Sequence, residues 1–77
     1  MAIAFILINT DVSKEDEVVE KLKTLSEVKE VDMVYGIYDI IAKVEAPDLK
    51  AIREGVSDRI RNIEGIRKTM TMIAADE

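Results

Sequence analysis

An unbroken apolar run, Ala-Ile-Ala-Phe-Ile-Leu-Ile at residues 2–8, is the strongest constraint on how this chain folds. It is rich in β-branched residues and no polar residue alternates with them, which predicts a strand buried on both faces. Polar residues return at Asn9 and Asp11, so the run is far shorter than the roughly 20 residues that span a membrane. No basic segment precedes it, so it does not match a signal peptide either. The fold must therefore supply cover for both faces of one strand.

The remaining sequence predicts two helices and three further strands in one domain, residues 1–77. Apolar residues recur at helical spacing in two segments and at strand spacing in the others. In chain order the predicted elements are a strand at 2–8, a helix at 14–25 capped by Ser13, strands at 28–35 and 37–44 joined by a hairpin turn at Gly36, a helix from Pro47 to near Gly65, and a strand at 66–74. The order βαββαβ predicts an α+β, ferredoxin-like sandwich, a four-stranded antiparallel sheet with both helices on one face. The tail, residues 75–77, is expected to fray.

The sheet face without helices is predicted to be partly apolar. Neither row of the last strand is strongly polar, and the third strand carries Ile37 and Ile41 opposite its tyrosine. A domain of this size is marginally stable alone, and a hydrophobic content of 48% suits burial against another chain. We therefore predict a homodimer in which two sheets pack face to face about a two-fold axis.

Composition disfavours several classes of protein. The chain has 16 acidic and 11 basic residues and a net charge of −5, whereas nucleic-acid binders carry a basic face. We interpret the loose basic group late in the chain as solvated surface: Arg53, Arg59, Arg61, Arg67 and Lys68. Without cysteine or histidine, disulfides, structural zinc and the usual catalytic bases are not predicted, and neither a metal nor a cofactor is expected. The lack of cysteine and of a membrane segment favours a cytoplasmic location.

The stretch Val-Tyr-Gly-Ile-Tyr-Asp-Ile at residues 34–40 places polar residues inside an apolar segment. Gly36 predicts the hairpin turn. Asp39 requires hydrogen bonds or solvent, because an unpaired buried carboxylate is costly. Two interpretations stay open: the carboxylate accepts backbone N–H groups of the hairpin turn, or it faces a crevice and binds the amine of a ligand.

Thr69 and Thr71 share one face of the last predicted strand. They suit a half-buried strand surface as good β-formers, and their hydroxyls are also potential ligand contacts. If the chain were an enzyme, Tyr35, Tyr38 and Asp39 would be its only polar candidates. The acidic residues at 15–17 are explained by the dipole of the first helix.

Taken together, these residues resemble the C-terminal effector domain of the Lrp/AsnC transcription factors, also called the RAM domain. The resemblance covers about residues 2–75 and rests on four motifs: Val-x-Gly-x-Tyr-Asp at 34–39, Ala-Pro-Asp-Leu-Lys-Ala-Ile-Arg at 46–53, Ile-Glu-Gly-Ile at 63–66 and Thr-x-Thr at 69–71. Full regulators of the family carry an N-terminal helix-turn-helix domain. This chain begins at the first strand of the effector domain, so it is similar to stand-alone versions, and direct DNA binding is not expected.

The resemblance implies a function and a site. Family members dimerise through their sheets, the dimers often form rings or octamers, and a small effector, typically an amino acid, binds between neighbouring dimers. Matching positions imply ligand contacts at Gly36, Ile37, Tyr38, Asp39, Leu49, Thr69, Met70 and Thr71. Asp39 would suit an α-amino group, and hairpin N–H groups a carboxylate. A full-length regulator is implied as a further partner.

The resulting hypothesis is an amino-acid-sensing regulatory module that is not an enzyme. Two alternatives remain: a ligand-free assembly subunit and a small dimeric ferredoxin-like enzyme.

Overall fold

The computed structural model of the chain describes residues 1–74, so the predicted fraying of the tail lies outside the described residues. In chain order the elements are β1 (Ala2–Thr10), a first helix (Glu15–Leu22), β2 (Val28–Met33), β3 (Ile40–Ala46), a second helix in three successive segments (Leu49–Ala51, Ile52–Val56 and Ser57–Arg61) and β4 (Ile66–Ile73). The strands pair antiparallel in the order β2-β3-β1-β4. The predicted ferredoxin-like α+β sandwich is confirmed.

The core lies between the sheet and the two helices. Alternate residues of β1 and β3 face the helices and are fully or almost fully buried. The buried apolar residues are Ala4, Ile6, Ile8, Ile40, Ala42, Val44 and Ala46 from the sheet, and Val18, Leu22, Ile52, Val56 and Ile60 from the helices. Each buried Val, Leu or Ile stabilises the fold by about 1.5–3 kcal/mol relative to an exposed position. The other row of β1 faces away from the helices, so one chain covers only one face of this strand.

We call the helix-free side of the sheet the open face. Its apolar part is centred on β1 and β4, as the pairing register and the alternation of the strands place it. This part comprises Ile3, Phe5, Leu7, Ile41, Met70 and Met72. Met70 and Met72 are each 47% exposed. Charged residues of the open face lie on β2 and β3 on one side of this apolar part, and Lys68 lies at the end of β4 next to the hairpin loop.

The loop between β2 and β3 is longer than the predicted turn. It spans residues 34–39, and β3 begins at Ile40 rather than at Ile37. Gly36 takes a φ of 139°, which L-residues rarely adopt. The N–H of Val34 donates to the carbonyl of Asp39 across the loop (2.9 Å), so the chain closes at its base and leaves the residues between out of the sheet.

The first helix begins without the predicted Ser13 cap. Ser13 has a φ of 68°, and Lys14 occupies the N-cap without a side-chain hydrogen bond. The acidic residues at 15–17 lie in the first turn, where the helix dipole favours them. The helix ends at Leu22, earlier than predicted, because both the N–H and the hydroxyl of Thr24 donate to the carbonyl of Lys21.

The second helix starts at Leu49, two residues after the predicted start at Pro47, and ends earlier than predicted. Asp48 caps it, since its carboxylate accepts the N–H of Ala51 at 2.8 Å. The middle segment, Ile52–Val56, is a π-helical turn that contains Gly55. The helix stops at Arg61, and Gly65 follows in the connection to β4. Within residues 1–74, neither helix has the length and apolar character that crossing a bilayer requires.

An ion pair links the second helix to the segment before β2. Arg59 Nη2 donates to Glu27 Oε2 at 2.6 Å. This hydrogen bond holds the pKa of Glu27 below its ordinary value of 4.5. Because the folded pKa is lowered, the stabilisation is present above the unfolded pKa and is lost as pH falls through the folded pKa.

We therefore expect Arg59→Ala to lower the free energy of unfolding at neutral pH by less than about 1 kcal/mol, since half of the Arg59 side chain is exposed. Well below pH 4.5 the variant and the wild type should unfold at the same urea concentration. A difference that persists undiminished in acid would contradict this account of the pair.

Candidate functional site

The candidate site centres on residues 34–39, which we call the hairpin loop. Several hydrogen bonds hold the loop against the last residues of β1, and two of them use loop backbone groups. The N–H of Asp39 donates to the carbonyl of Ile8 (2.9 Å), and the Asn9 side-chain amide donates to the carbonyl of Ile37 (2.7 Å). The position of the loop is therefore fixed by β1 as well as by its own strands.

The Asp39 carboxylate has a partner that neither interpretation of the sequence included. Its Oδ2 accepts the backbone N–H of Thr10 at 3.0 Å and lies 3.5 Å from the Thr10 hydroxyl. The donors thus belong to the end of β1, not to the hairpin turn. The hydrogen bonds of this carboxylate within residues 1–74 all use Oδ2, which leaves Oδ1 as an acceptor at a half-buried position.

Asp39→Ala is expected to lower the free energy of unfolding by about 1–2 kcal/mol, because the N–H of Thr10 loses its acceptor in a partly buried place. Asp39→Asn keeps an acceptor oxygen and should lose less. Urea unfolding at one protein concentration measures both. Glu64→Ala is the control, since Glu64 is an exposed loop carboxylate. Equal losses at positions 39 and 64 would contradict a stabilising role for the bond.

The hairpin loop also presents backbone donors. Four successive N–H groups donate to no acceptor within the described residues, those of Tyr35, Gly36, Ile37 and Tyr38. The side chains of Tyr35 and Ile37 project into solvent. N–H groups without an acceptor among residues 1–74 are available to donate to a ligand atom.

Two of the predicted contact residues meet on the open face. The hydroxyl of Tyr38 lies 3.8 Å from Sδ of Met70. The tyrosine of the hairpin loop therefore reaches across β1 to β4. On the open face, one predicted contact residue of the hairpin loop therefore touches one predicted contact residue of β4.

Thr69 and Thr71 lie on the other side of β4. They pair with the buried residues Ile8 and Ile6, so they share the helix-facing side with them. The hydroxyl of Thr71 lies 3.4 Å from the hydroxyl of Ser57 in the second helix. The sheet thus separates both threonines from Met70.

Leu49 lies at the far end of the sheet from the hairpin loop. The loop precedes β3 and Leu49 follows it, and the seven residues of β3 separate its ends by roughly 20 Å. Leu49 is 45% exposed. One chain therefore does not bring the predicted residues into a single pocket.

Sequence reasoning missed two concave surfaces at the loop end of the molecule. One measures about 360 Å³ and is lined by Glu15, Asp16, Met33, Val34, Tyr35 and Asp39. Its acidic members had been explained by the helix dipole alone. The predicted order of elements could have indicated it, because in this fold the connection from β1 to the first helix and the hairpin loop lie at the same end of the sheet.

The second concave surface measures about 430 Å³ and is lined by Asn9, Arg67 and Lys68. We call it the basic pocket. The two cations belong to the group that the sequence suggested was solvated surface. Among residues 1–74, no three acidic side chains are grouped so that they could hold a metal ion.

Comparison with known proteins identifies the module. Residues 3–77 match the model of the Lrp/AsnC ligand binding domain. An HTH-type transcriptional regulator from Pyrococcus abyssi is 37% identical over 71 residues, which are 92% of this chain and 45% of that protein. The chain spans about half the length of the curated relatives it matches.

Solved structures agree with this match. A hypothetical protein from Pyrococcus horikoshii is 48% identical, with a TM-score of 0.90 over 100% of this chain and 93% of that chain. AsnC of E. coli is 27% identical, with a TM-score of 0.89 over 99% of this chain and 52% of that chain. The likeness extends over the whole sheet and both helices.

Proposed function

Because the chain belongs to the family of Lrp/AsnC ligand-binding domains, we propose that it is a regulatory module that binds a small effector, an amino acid, at the hairpin loop and acts through the assembly of its copies. The observation that carries the proposal is the hairpin loop itself. It is fixed against β1, yet within residues 1–74 four of its N–H groups and one oxygen of the Asp39 carboxylate have no hydrogen-bond partner.

This combination suits an amino acid. A ligand with both an ammonium and a carboxylate group needs an acceptor and several donors close together, and charge-assisted hydrogen bonds to such groups are the strong ones. Asp39 Oδ1 supplies the acceptor and the loop N–H groups supply donors. Asp39→Asn should therefore weaken effector binding and leave the protein folded.

The assembly part of the proposal rests on the open face. Its apolar part is uncovered in one chain, and contiguous exposed apolar surface marks an interaction site. Packing against a second sheet would cover it in a homodimer. Leu49, roughly 20 Å from the hairpin loop, joins the site only if another copy contributes it, which requires association beyond the dimer, such as a ring or an octamer.

A full-length regulator is a further proposed partner. The curated relatives are HTH-type regulators about twice the length of this chain. Shared assembly surfaces would let this module enter a mixed complex and bring the effector signal to it. Direct DNA binding by residues 1–77 is not part of the proposal, given the net charge of −5.

A thermal-shift screen with the twenty amino acids, paired with sedimentation analysis, tests the proposal. An effector that binds only the folded state raises the melting temperature by mass action. We expect at least one amino acid at millimolar concentration to raise the melting temperature or to change the assembly. If none does either, the sensor function is wrong.

One observation favours the ligand-free assembly subunit as the second candidate. The Asp39 carboxylate accepts the N–H of Thr10, a contact that supports the fold itself. On this alternative the hairpin loop only supports contacts between copies. The same screen separates the two, because an assembly subunit would form its oligomer and respond to no amino acid.

A further inference from the structure

We infer that the effector is an amino acid with a positively charged side chain, such as lysine or arginine. Its side chain enters the concave surface lined by Glu15, Asp16 and the hairpin loop, which we call the acidic pocket. The inference rests on the proposed function for the class of ligand and on the acidic pocket for the side chain. Val34, Tyr35 and Asp39 of the hairpin loop line this pocket, so a ligand held by the loop has the pocket beside it.

The acidic pocket contains three carboxylates and no compensating cation. Glu15 and Asp16 come from the first turn of the first helix, and Asp39 comes from the hairpin loop. None of the three makes an ion pair with a basic side chain in the described part of the chain. The cation adjacent in sequence, Lys14, instead lies with its Nζ 3.7 Å from Oε1 of Glu17. The negative charge of the pocket is therefore available to a cationic ligand.

The three carboxylates surround a cavity and do not converge on one point. Within residues 1–74, no three acidic side chains lie close enough together to hold a metal ion. The cavity measures about 360 Å³, a volume that small organic ligands occupy in proteins. An ammonium or guanidinium group carries several N–H donors that point in different directions, so it can reach acceptors that are apart. The acidic pocket thus favours an organic cation over a metal ion.

The other lining residues suit the aliphatic part of such a side chain. Met33 and Val34 present apolar atoms, and Tyr35 presents an aromatic ring. Tyr35 is fully exposed, so within one chain its ring gives up no packing when it contacts a ligand. A cation over an aromatic ring gains further stabilisation. Lysine and arginine combine an apolar stem with a terminal cation, which matches this mixed lining.

The two ends of the ligand use different residues. In the proposed function, Asp39 Oδ1 accepts the α-ammonium group and the loop N–H groups bind the carboxylate. Glu15 and Asp16 lie on the first helix, outside the loop, so they can select the side chain. Both lie in the first turn, where the helix dipole stabilises negative charge. Their removal should therefore change which amino acid binds, not whether one binds.

The test compares lysine and arginine with their neutral analogues, norleucine and citrulline. Isothermal titration at low ionic strength should show that wild-type protein binds each cationic amino acid at least about tenfold more tightly than its analogue. Glu15→Gln/Asp16→Asn should remove this preference by weakening the binding of lysine and arginine and leaving that of norleucine unchanged. Glu17→Gln/Glu20→Gln is the control, because it removes two exposed carboxylates from the same helix. It should keep the wild-type preference.

A neutral amino acid that binds wild-type protein more tightly than lysine and arginine would overturn the inference and leave the proposed function standing. A preference for the cationic amino acids that survives in Glu15→Gln/Asp16→Asn, or that is lost equally in the control, would also overturn it. If no amino acid binds, the proposed function and the inference fail together. Circular dichroism checks that both variants are folded, and the comparison of lysine with norleucine on wild-type protein decides the inference if the pocket variant is not.

Discussion

Leu7→Glu is expected to convert the dimer that we propose into a monomer. Leu7 lies at the centre of the open face, between Ile41 of β3 and Met70 of β4. Burial of a leucine contributes about 1.5–3 kcal/mol, and a two-fold interface contains each residue twice. The loss of roughly 3–6 kcal/mol weakens dimerisation by a factor on the order of 100 to 10,000, before the cost of burying two carboxylates is added.

Sedimentation velocity over a range of micromolar concentrations measures this effect. Val12→Glu is the matched control, because it also replaces an exposed apolar residue with glutamate, but in the loop after β1 rather than on the sheet. The control should remain dimeric. A Leu7→Glu variant that dimerises as tightly as the wild type would place the interface elsewhere, and a monomeric wild type would refute the dimer itself.

Gly65→Ala is expected to lower the free energy of unfolding by roughly 2–4 kcal/mol. Gly65 has a φ of 100°, a conformation that is strained for any L-residue with a side chain. An added Cβ would also lie 3.2 Å from Cβ of Lys14 and 3.2 Å from Cγ2 of Val18. Val18 is fully buried in the core, so the first helix has little room to move away.

The other glycines provide the comparison for Gly65. Gly36→Ala meets strain at φ 139° but no neighbouring atom, so it should cost less. Gly55→Ala has neither problem and should stabilise the second helix by up to about 1 kcal/mol. Urea midpoints at one protein concentration rank the three variants. If Gly65→Ala loses no more stability than Gly36→Ala, the close contact with Lys14 and Val18 adds nothing to the cost of the substitution.

The order of elements was predictable because periodicity reports which residues face a core. The alternation in β3 and the helical spacing of Leu49, Ile52, Val56 and Ile60 both survive in the structure, although Leu49 itself is not in the core. The ends of elements were less predictable. Ser13 has the residue type of a cap but lies in a left-handed conformation, and Thr24 ends the first helix through a hydrogen bond that spacing does not reveal.

For the candidate site, the sequence drew attention to Asp39 but did not reveal the geometry around it. Asp39 was singled out correctly as an acid that needs a partner, yet that partner, Thr10, is 29 positions away and comes close only when β1 and β3 pair. Arg67 joined the basic pocket through a one-residue bulge, and nothing in the alternation of β4 announces a bulge at that point. Both misses arise from pairing between strands, which a single segment of sequence does not encode.

The bond between Thr10 and Asp39 also makes one amide proton a reporter of the hairpin loop. The N–H of Thr10 is held by a side chain from the loop, whereas most of the neighbouring protons of β1 are held by adjacent strands. Its hydrogen exchange therefore follows local opening of the loop and not unfolding of the sheet. A ligand that stabilises the loop against β1 slows the exchange of this proton, and a ligand that moves the loop away from β1 accelerates it. The exchange rate of the Thr10 amide therefore shows in which direction the loop responds.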